Sequence, residues 1–160
     1  LIVSAALIFN PPLHALWNRI FIDSDELYAH QIDDFFDIST KGFSKTFDFD
    51  PAYRDTYSVG LTNSDHGFPA KYDYSGKLFL EIYHGGDIVF SKEITEQDVQ
   101  WHMSDKDGYY KEITLDYFEV PIQGKYKKDI RLKFTVIEPD LHVKEFAEDL
   151  HLVIGVSATP

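Results

Sequence analysis

The sequence predicts an all-β protein, folded as an antiparallel β-sandwich of about seven or eight strands with short helical pieces in the connections. Three observations lead to this fold class. Short segments alternate apolar and polar residues with a period of two, turn residues separate them, and aromatic residues make up 16% of the 160 residues. Few connections approach the length of the helix that a parallel sheet needs between strands. The pattern fits a jelly roll, an immunoglobulin-like Greek key or a closed barrel.

The N-terminal stretch LIVSAALIFN is an apolar run that is followed by Pro11 and Pro12. It has the composition of a truncated signal-peptide core, with the small residue Ala15 close to a cleavage point, or of the end of a membrane anchor. A buried N-terminal element of a cytosolic domain is the alternative. We therefore expect a truncated signal or anchor segment with its lead-in at residues 1–31, and a single β-sandwich domain at residues 32–160.

The first predicted strands run up to Pro51, which ends them because proline has no N–H for a strand ladder. Phe36 and Ile38 flank a polar residue and predict one strand, after which Gly42 turns the chain. The next strand carries aromatic residues along one face, at Phe43, Phe47 and Phe49.

A β-hairpin is predicted at residues 76–95, with two alternating segments that meet at Gly85 and Gly86. The apolar positions are Leu78, Leu80 and Ile82 in the first segment and Ile88, Phe90 and Ile94 in the second. A two-residue loop would set Phe90 beside Glu81, on the opposite face. The sequence therefore predicts a three-residue connection, with a glycine in the left-handed region and a bulge.

Alternation predicts further strands at residues 57–61, 113–117, 130–136 and 150–156. Long connections of mixed chemistry lie at residues 62–75, 95–108 and 138–149. Thr95 with Asp98 three residues later predicts an N-cap and a turn or two of helix. Residues 142–149 predict a short helix or a loop.

Composition excludes several functions. The net charge of −12 and the pI of about 4.8 repel phosphate backbones, so we expect no nucleic acid as partner. The chain has no cysteine, which excludes a disulfide frame, a thiolate metal site and a thiol nucleophile. No phosphate-cradling glycine run and no G-x-S-x-G pattern is present, and no cofactor is expected.

If successive strands run antiparallel, every second connection lies at the same end of the sandwich. This places the three long connections at one end and the tight turns at the other, and sandwiches commonly bind ligands through such loops. Aromatic faces beside carboxylates and imidazoles suit sugar rings, peptides or a partner surface. The candidate ligand-binding residues are His66, Tyr72, Tyr74, Trp101, His102, Asp105 and Asp107. The alternative is that Trp101 and Tyr74 cap the core while the charges are solvated.

Metal binding has weaker sequence support. Asp105 and Asp107 precede a glycine with the spacing that opens a calcium loop, but the closing carboxylate of an EF-hand is absent, which favours an ordinary Asp-Gly turn. His66, His102 and His142 are too far apart in sequence to form a zinc motif unless the fold brings them together. No metal is expected.

The order of features from Phe36 to Val156 resembles uncharacterised bacterial cell-envelope β-sandwich proteins, many of them lipoproteins. The segments that carry the resemblance are FDIS…GFSKTFDF, the strand at Tyr57, the hairpin, ITLDYFEVP and LKFTVIEP. The resemblance implies no catalytic residues, and the sequence has no lipobox cysteine.

Together these features predict an exported, non-enzymatic module in the cell envelope, periplasmic or extracellular, that binds a protein or a carbohydrate through its long loops. Membrane anchoring through the N-terminal apolar segment is compatible with it. The alternatives are a hydrolase or metal-dependent enzyme that uses the loop histidines and aspartates, and an envelope assembly subunit that pairs through a sheet edge.

Overall fold

A computed structural model describes the chain at residues 31–32, 36–49, 51, 56–63, 68–69, 73–104, 109–119, 129–145 and 150–156. The strands are β1 (Gln31–Ile32), β2 (Ser44–Phe49), β3 (Thr56–Asn63), β4 (Phe68–Pro69), β5 (Lys77–His84), β6 (Asp87–Ile94), β7 (Gln100–Ser104), β8 (Tyr109–Glu119), β9 (Ile130–Glu138) and β10 (Leu150–Val156). A 3-10 helix, η1, spans His142–Glu145. No helix among these residues has the length and apolar character needed to cross a bilayer. The signal or anchor expected at the N-terminus lies outside the described residues, apart from Gln31.

The strands form two antiparallel sheets, which confirms the all-β prediction. Sheet I has the order β1-β10-β3-β8-β4, with β7 also paired to β8, and sheet II has the order β2-β9-β5-β6. Neighbours in each sheet are mostly not consecutive in sequence, so the chain passes repeatedly from one sheet to the other. The arrangement is sandwich-like, because the inward faces of both sheets contribute to one hydrophobic core.

The core forms largely from the residues that the period-two alternation placed on one face of most strands. In β9, Leu132, Phe134 and Val136 are buried while the residues between them are half-buried or exposed. Phe49 of sheet II contacts Tyr57 of sheet I, with ring centroids 5.0 Å apart in an edge-to-face arrangement. Such aromatic pairs add about 0.5–1.5 kcal/mol beyond the burial of their area.

The hairpin of β5 and β6 partly follows the prediction. Ile82 pairs with Phe90, as the burial pattern required, and both glycines of the turn have positive φ, 59° at Gly85 and 103° at Gly86. The predicted three-residue connection is wrong, because the loop has two residues. The extra residue lies inside β6, where the register shifts by one at Val89.

This bulge reverses the faces of the sheet to which the side chains at the start of β6 point. Ile88 pairs with Tyr83, on the outward face of sheet II, and 54% of its surface is exposed. The prediction that Ile88 joins the core is therefore wrong, whereas Phe90 and Ile94, beyond the bulge, pack against the core or join it.

Three other local predictions need correction. Phe36 and Ile38 are fully buried, but Phe36 lies in irregular backbone and Ile38 in a turn, so neither is in a strand. The segment after Thr95 forms a turn and not a helix, because β7 begins at Gln100 and leaves too few residues for a helix. The connection 95–108 thus contains a strand that pairs with β8, and the connection 62–75 contains the short strand β4.

A charged cluster, here called the inter-sheet ion cluster, joins β6 to sheet I and consists of Lys92, Asp98 and Asp116. Lys92 pairs with the fully buried Leu80, so its side chain enters the space between the sheets. Its Nζ lies 2.9 Å from Asp98 Oδ1 and 2.9 Å from Asp116 Oδ1. Asp116 is only 6% exposed, and its Oδ2 has no hydrogen-bond partner among the described residues.

The electrostatics of this cluster favour its charged form. Burial alone would lower the pKa of Lys92, but the hydrogen bonds to Asp116 and Asp98 outweigh burial and raise that pKa. Burial would likewise raise the pKa of Asp98, but the backbone N–H of Thr95 and the Lys92 ammonium lower it overall. The edge strand of sheet II is thereby tied to sheet I by a paired charge.

Candidate functional site

The described strand ends that border the three long connections lie together at one end of sheet II. In sheet II the strand ends at Ser44, Lys77, Ile94 and Glu138 lie together, because Lys77 pairs with Glu138 and Leu78 with Ile94. The opposite end of the sheet holds the Gly85-Gly86 turn and Ile130. We refer to the first end as the loop end.

A cleft of about 390 Å³ opens at the loop end. Its described lining comes from all three connections and the strands next to them: Ser75, Gly76, Lys77, Thr95, Glu96, Gln97 and Glu138. All of these residues except Gly76 have polar or charged side chains. The cleft therefore offers hydrogen-bond donors and acceptors to a ligand and little apolar surface.

Asp140 holds two of these connections together. It is fully buried, and its carboxylate accepts hydrogen bonds from the Ser75 N–H (3.4 Å), the Ser75 hydroxyl (3.4 Å) and the His142 N–H (2.9 Å). Its own N–H donates to the carbonyl of Ile38 (3.2 Å). One carboxylate thus fixes the segment that lines the cleft to the start of η1.

Thr95 and Asp98 fix the third connection through a reciprocal pair of contacts. The Thr95 N–H and hydroxyl donate to Asp98 Oδ2 (2.9 and 3.1 Å), and the Asp98 N–H donates to the Thr95 carbonyl (3.0 Å). Of the two contacts of a capping box, only the one from the Thr95 N–H to the Asp98 carboxylate is present, and here it stabilises a turn.

Tyr74 lies directly behind the floor of the cleft. It is 2% exposed, and its hydroxyl has no hydrogen-bond partner among the described residues. A Cβ atom on Gly76 would lie 2.9 Å from the Tyr74 Oη and 3.1 Å from the Asp140 Cβ, so only glycine fits at this position of the floor. Burial, reinforced by the Asp140 charge, raises the pKa of Tyr74 far above its ordinary value of 10.0.

We expect Tyr74→Phe to raise the free energy of unfolding by about 1 kcal/mol at neutral pH, because it removes a buried hydroxyl without a partner.

The raised pKa of Tyr74 also makes the free energy of unfolding depend on pH. Because the tyrosine of the unfolded chain ionises first, the native protein keeps its full free energy of unfolding below pH 10.0 and loses part of it as the pH rises towards the raised pKa of Tyr74. Tyr74→Phe removes this part of the alkaline loss. Urea denaturation on both sides of that pH measures both effects. A less stable variant, or an unchanged alkaline profile, would contradict the expectation.

The charges at the cleft are dominated by carboxylates. Lys77 Nζ lies 3.2 Å from Glu138 and 3.6 Å from Glu93, and its pKa is raised, first by the hydrogen bond to Glu138. Glu96 adds a further carboxylate to the lining. The one ammonium group of the described lining is therefore already matched by two carboxylates.

A second polar cluster lies on the outward face of sheet II. Glu81 accepts hydrogen bonds from Lys133 (2.7 Å) and from the Tyr83 hydroxyl (3.0 Å), and Arg131 lies over the Tyr83 ring at 5.8 Å. The hydrogen bond from Lys133 lowers the pKa of Glu81. These contacts satisfy one another on an open sheet face, so we take the cleft as the candidate site.

The residues predicted from sequence have different positions relative to the cleft. Tyr74 lies behind its floor. Trp101 and His102 lie on β7, opposite Ile113 and Glu112 of β8. The remaining predicted residues lie outside the described part of the chain: His66, Tyr72, Asp105 and Asp107.

Most of the residues that line the cleft were not among the predicted site residues. The predicted residues are mainly aromatic, histidine and aspartate residues within the connections, whereas the lining comes from the points where the connections leave the strands. The same-end argument was the signal that pointed to them. Within the part of the chain that the structure describes, no group of three or more histidine, aspartate or glutamate side chains is placed to hold a metal ion.

No protein-family model matches the chain, and no curated protein matches it.

Proposed function

We propose that this protein is an exported, non-enzymatic binding module of the cell envelope that engages a protein or a saccharide through the cleft at its loop end. The observation that carries the proposal is the convergence of three long connections on one polar cleft of about 390 Å³. Loops on a rigid sheet scaffold are the usual place for binding residues in sandwich proteins.

The proposal includes a sandwich of jelly-roll or immunoglobulin-like Greek-key type with short helical pieces in its connections. The strand order β2-β9-β5-β6, with neighbours far apart in sequence, supports this type. The apolar N-terminal sequence that precedes Pro11 and Pro12 supports export to the periplasm or to the outside of the cell. Membrane anchoring would be one form of this export.

Protein-observed NMR titrations test the site. The probes are N-acetylglucosamine trimer, maltotriose, and capped pentapeptides of glycine with a central lysine, norleucine or glutamate. We expect at least one probe to shift the amide signals of residues 75–77 and 95–97 in a saturable way. Shifts centred on Tyr83 and Arg131 would place binding on the outward face of sheet II and contradict the proposal.

A pair of tryptophan substitutions provides the matched control. Gln97→Trp fills the mouth of the cleft and is expected to weaken binding at least about tenfold by steric exclusion. Ser91→Trp, on an exposed position of β6, is expected to leave binding unchanged. Both residues are exposed, so neither substitution is expected to change the melting temperature by more than a few degrees. Equal effects of the two substitutions on binding would contradict the proposed site.

Assembly through a sheet edge has less support. β6 is an outer strand of sheet II, but it contains a bulge at Val89 and an inward-pointing charge at Lys92. Both features are devices by which sheet proteins avoid pairing with other strands. We therefore do not propose edge pairing as the main function, and no described feature favours a hydrolase or a metal-dependent enzyme.

A further inference from the structure

We infer that the group bound in the cleft is cationic, and that it is the lysine or arginine side chain of an extended peptide segment in a partner protein. This inference rests on the proposed function, namely that the cleft is the binding site.

The charge of the cleft favours a cation. Glu96 and Glu138 line it and Glu93 lies beside it, whereas Lys77 supplies the one ammonium group among the lining residues that the structure describes. The side chains of Glu93 and Glu138 are 52% and 60% exposed, so their carboxylates remain accessible to a ligand. The net charge of −12 adds a long-range attraction for a cation.

The floor of the cleft provides a second observation. The Tyr74 hydroxyl lies behind Gly76, which lines the cleft, in the space that a side chain at position 76 would fill. This hydroxyl is buried and has no partner among the described residues, so it is a polar atom without a hydrogen bond directly behind the site. The buried Asp140 carboxylate lies beside it and adds negative charge under the floor. This negative charge behind the floor favours a cationic group in the cleft.

The composition of the described lining favours a peptide over an amino sugar. None of the described residues that line the cleft is aromatic, so a sugar ring finds no flat face on which to stack. The described lining instead offers hydroxyl, amide and carboxylate groups beside the backbone of Gly76. This surface suits the N–H groups and the charged side chain of an extended peptide.

The experiment compares matched probes by NMR titration of the full chain. The capped pentapeptides with central lysine and central norleucine have side chains of similar length and differ in charge. Glucosamine trimer and N-acetylglucosamine trimer form a second pair that differs in charge. We expect the lysine peptide to shift residues 75–77 and 95–97, with an affinity at least about fivefold higher than that of the norleucine peptide. Raising the ionic strength from about 0.01 M to about 1 M is expected to abolish this preference, because the Debye length falls from about 30 Å to about 3 Å.

Two double variants with the same change in net charge provide the control. Glu96→Gln with Glu138→Gln is expected to weaken binding of the lysine peptide about fivefold, from the loss of two exposed ion pairs. Asp87→Asn with Glu119→Gln, at exposed positions near the other end of the strands, is expected to change it less than about twofold. Equal weakening by both double variants would mean general attraction to an acidic protein and would overturn the inference.

The other outcomes separate the inference from the proposed function. If the norleucine peptide or N-acetylglucosamine trimer shifts the cleft residues as strongly as the lysine peptide, the cleft binds ligands but the cationic specificity is wrong. If glucosamine trimer binds there more tightly than the lysine peptide, the occupant is an amino sugar and the peptide assignment is overturned. If no probe shifts residues 75–77 and 95–97, the proposed site itself is wrong.

Discussion

Replacing Lys92 by methionine is expected to lower the free energy of unfolding by about 2–3 kcal/mol at neutral pH. Methionine keeps the apolar stem of the side chain but removes the charge, which leaves Asp116 buried without its cation. Breaking a fully buried ion pair costs about 3–5 kcal/mol, and the lower figure applies here because the Lys92 side chain is 36% exposed. Urea denaturation of the purified variant measures the loss.

The double variant Lys92→Met with Asp116→Asn tests the cause. It removes the uncompensated charge, so we expect it to recover at least about 1 kcal/mol relative to Lys92→Met alone. The pKa of Asp98 is lowered and that of Lys92 raised, so the contribution of the cluster is complete between their ordinary values of 3.8 and 10.5. It is lost as the pH falls through the lowered pKa of Asp98 or rises through the raised pKa of Lys92. A Lys92→Met protein as stable as the native one would contradict the assigned role.

Asp140→Ala is expected to lower the free energy of unfolding by about 3 kcal/mol and to abolish binding at the cleft. The substitution leaves the N–H groups of Ser75 and His142 without their acceptor and opens a cavity at a fully buried position. The segment 75–77 then loses its attachment to the start of η1. Hydrogen exchange at Ser75 and His142 provides a local readout besides global stability.

Asp140→Asn serves as the conservative comparison for this site. The amide oxygen keeps one acceptor for the His142 N–H, so the expected loss is only about 1 kcal/mol. Thr46→Ala, at an exposed position on the outward face of β2, is expected to change stability by less than about 0.5 kcal/mol. Faster exchange across the whole chain in Asp140→Ala, without a stronger effect at Ser75 and His142, would show that Asp140 stabilises the fold generally and does not specifically hold the cleft.

The sequence predicted the inward residues of most strands correctly, because burial on a sheet repeats every second residue. Leu132, Phe134 and Val136 illustrate this, and so does the pairing of Ile82 with Phe90. The position of the extra residue in the hairpin was not predictable in this way. Two adjacent glycines favour a two-residue turn, whereas burial of Phe90 opposite Ile82 requires one more residue between the two strands. Only the energy of all the pairs in the ladder decides that this extra residue is Val89, inside β6.

The candidate site was predictable as a place and not as a set of residues. Antiparallel order is enough to bring three connections to one end. The contacts that shape the cleft, however, join residues distant in sequence, such as Ser75 with Asp140, and neither residue carries a local motif. The short strands β4 and β7 were missed for the same reason, because they form only through pairing with the long strand β8.

The inward position of Lys92 also affects how the molecule behaves when it is concentrated. A cross-β stack of hairpins needs flat, uncharged strands that repeat in register. In β6 the Lys92 ammonium pairs with carboxylates outside sheet II, and the bulge at Val89 displaces the backbone. An incoming strand therefore meets an edge that is neither flat nor uncharged. We therefore expect the native protein to resist fibril growth from this hairpin. We expect Lys92→Met to shorten the lag time of fibril formation in a thioflavin assay.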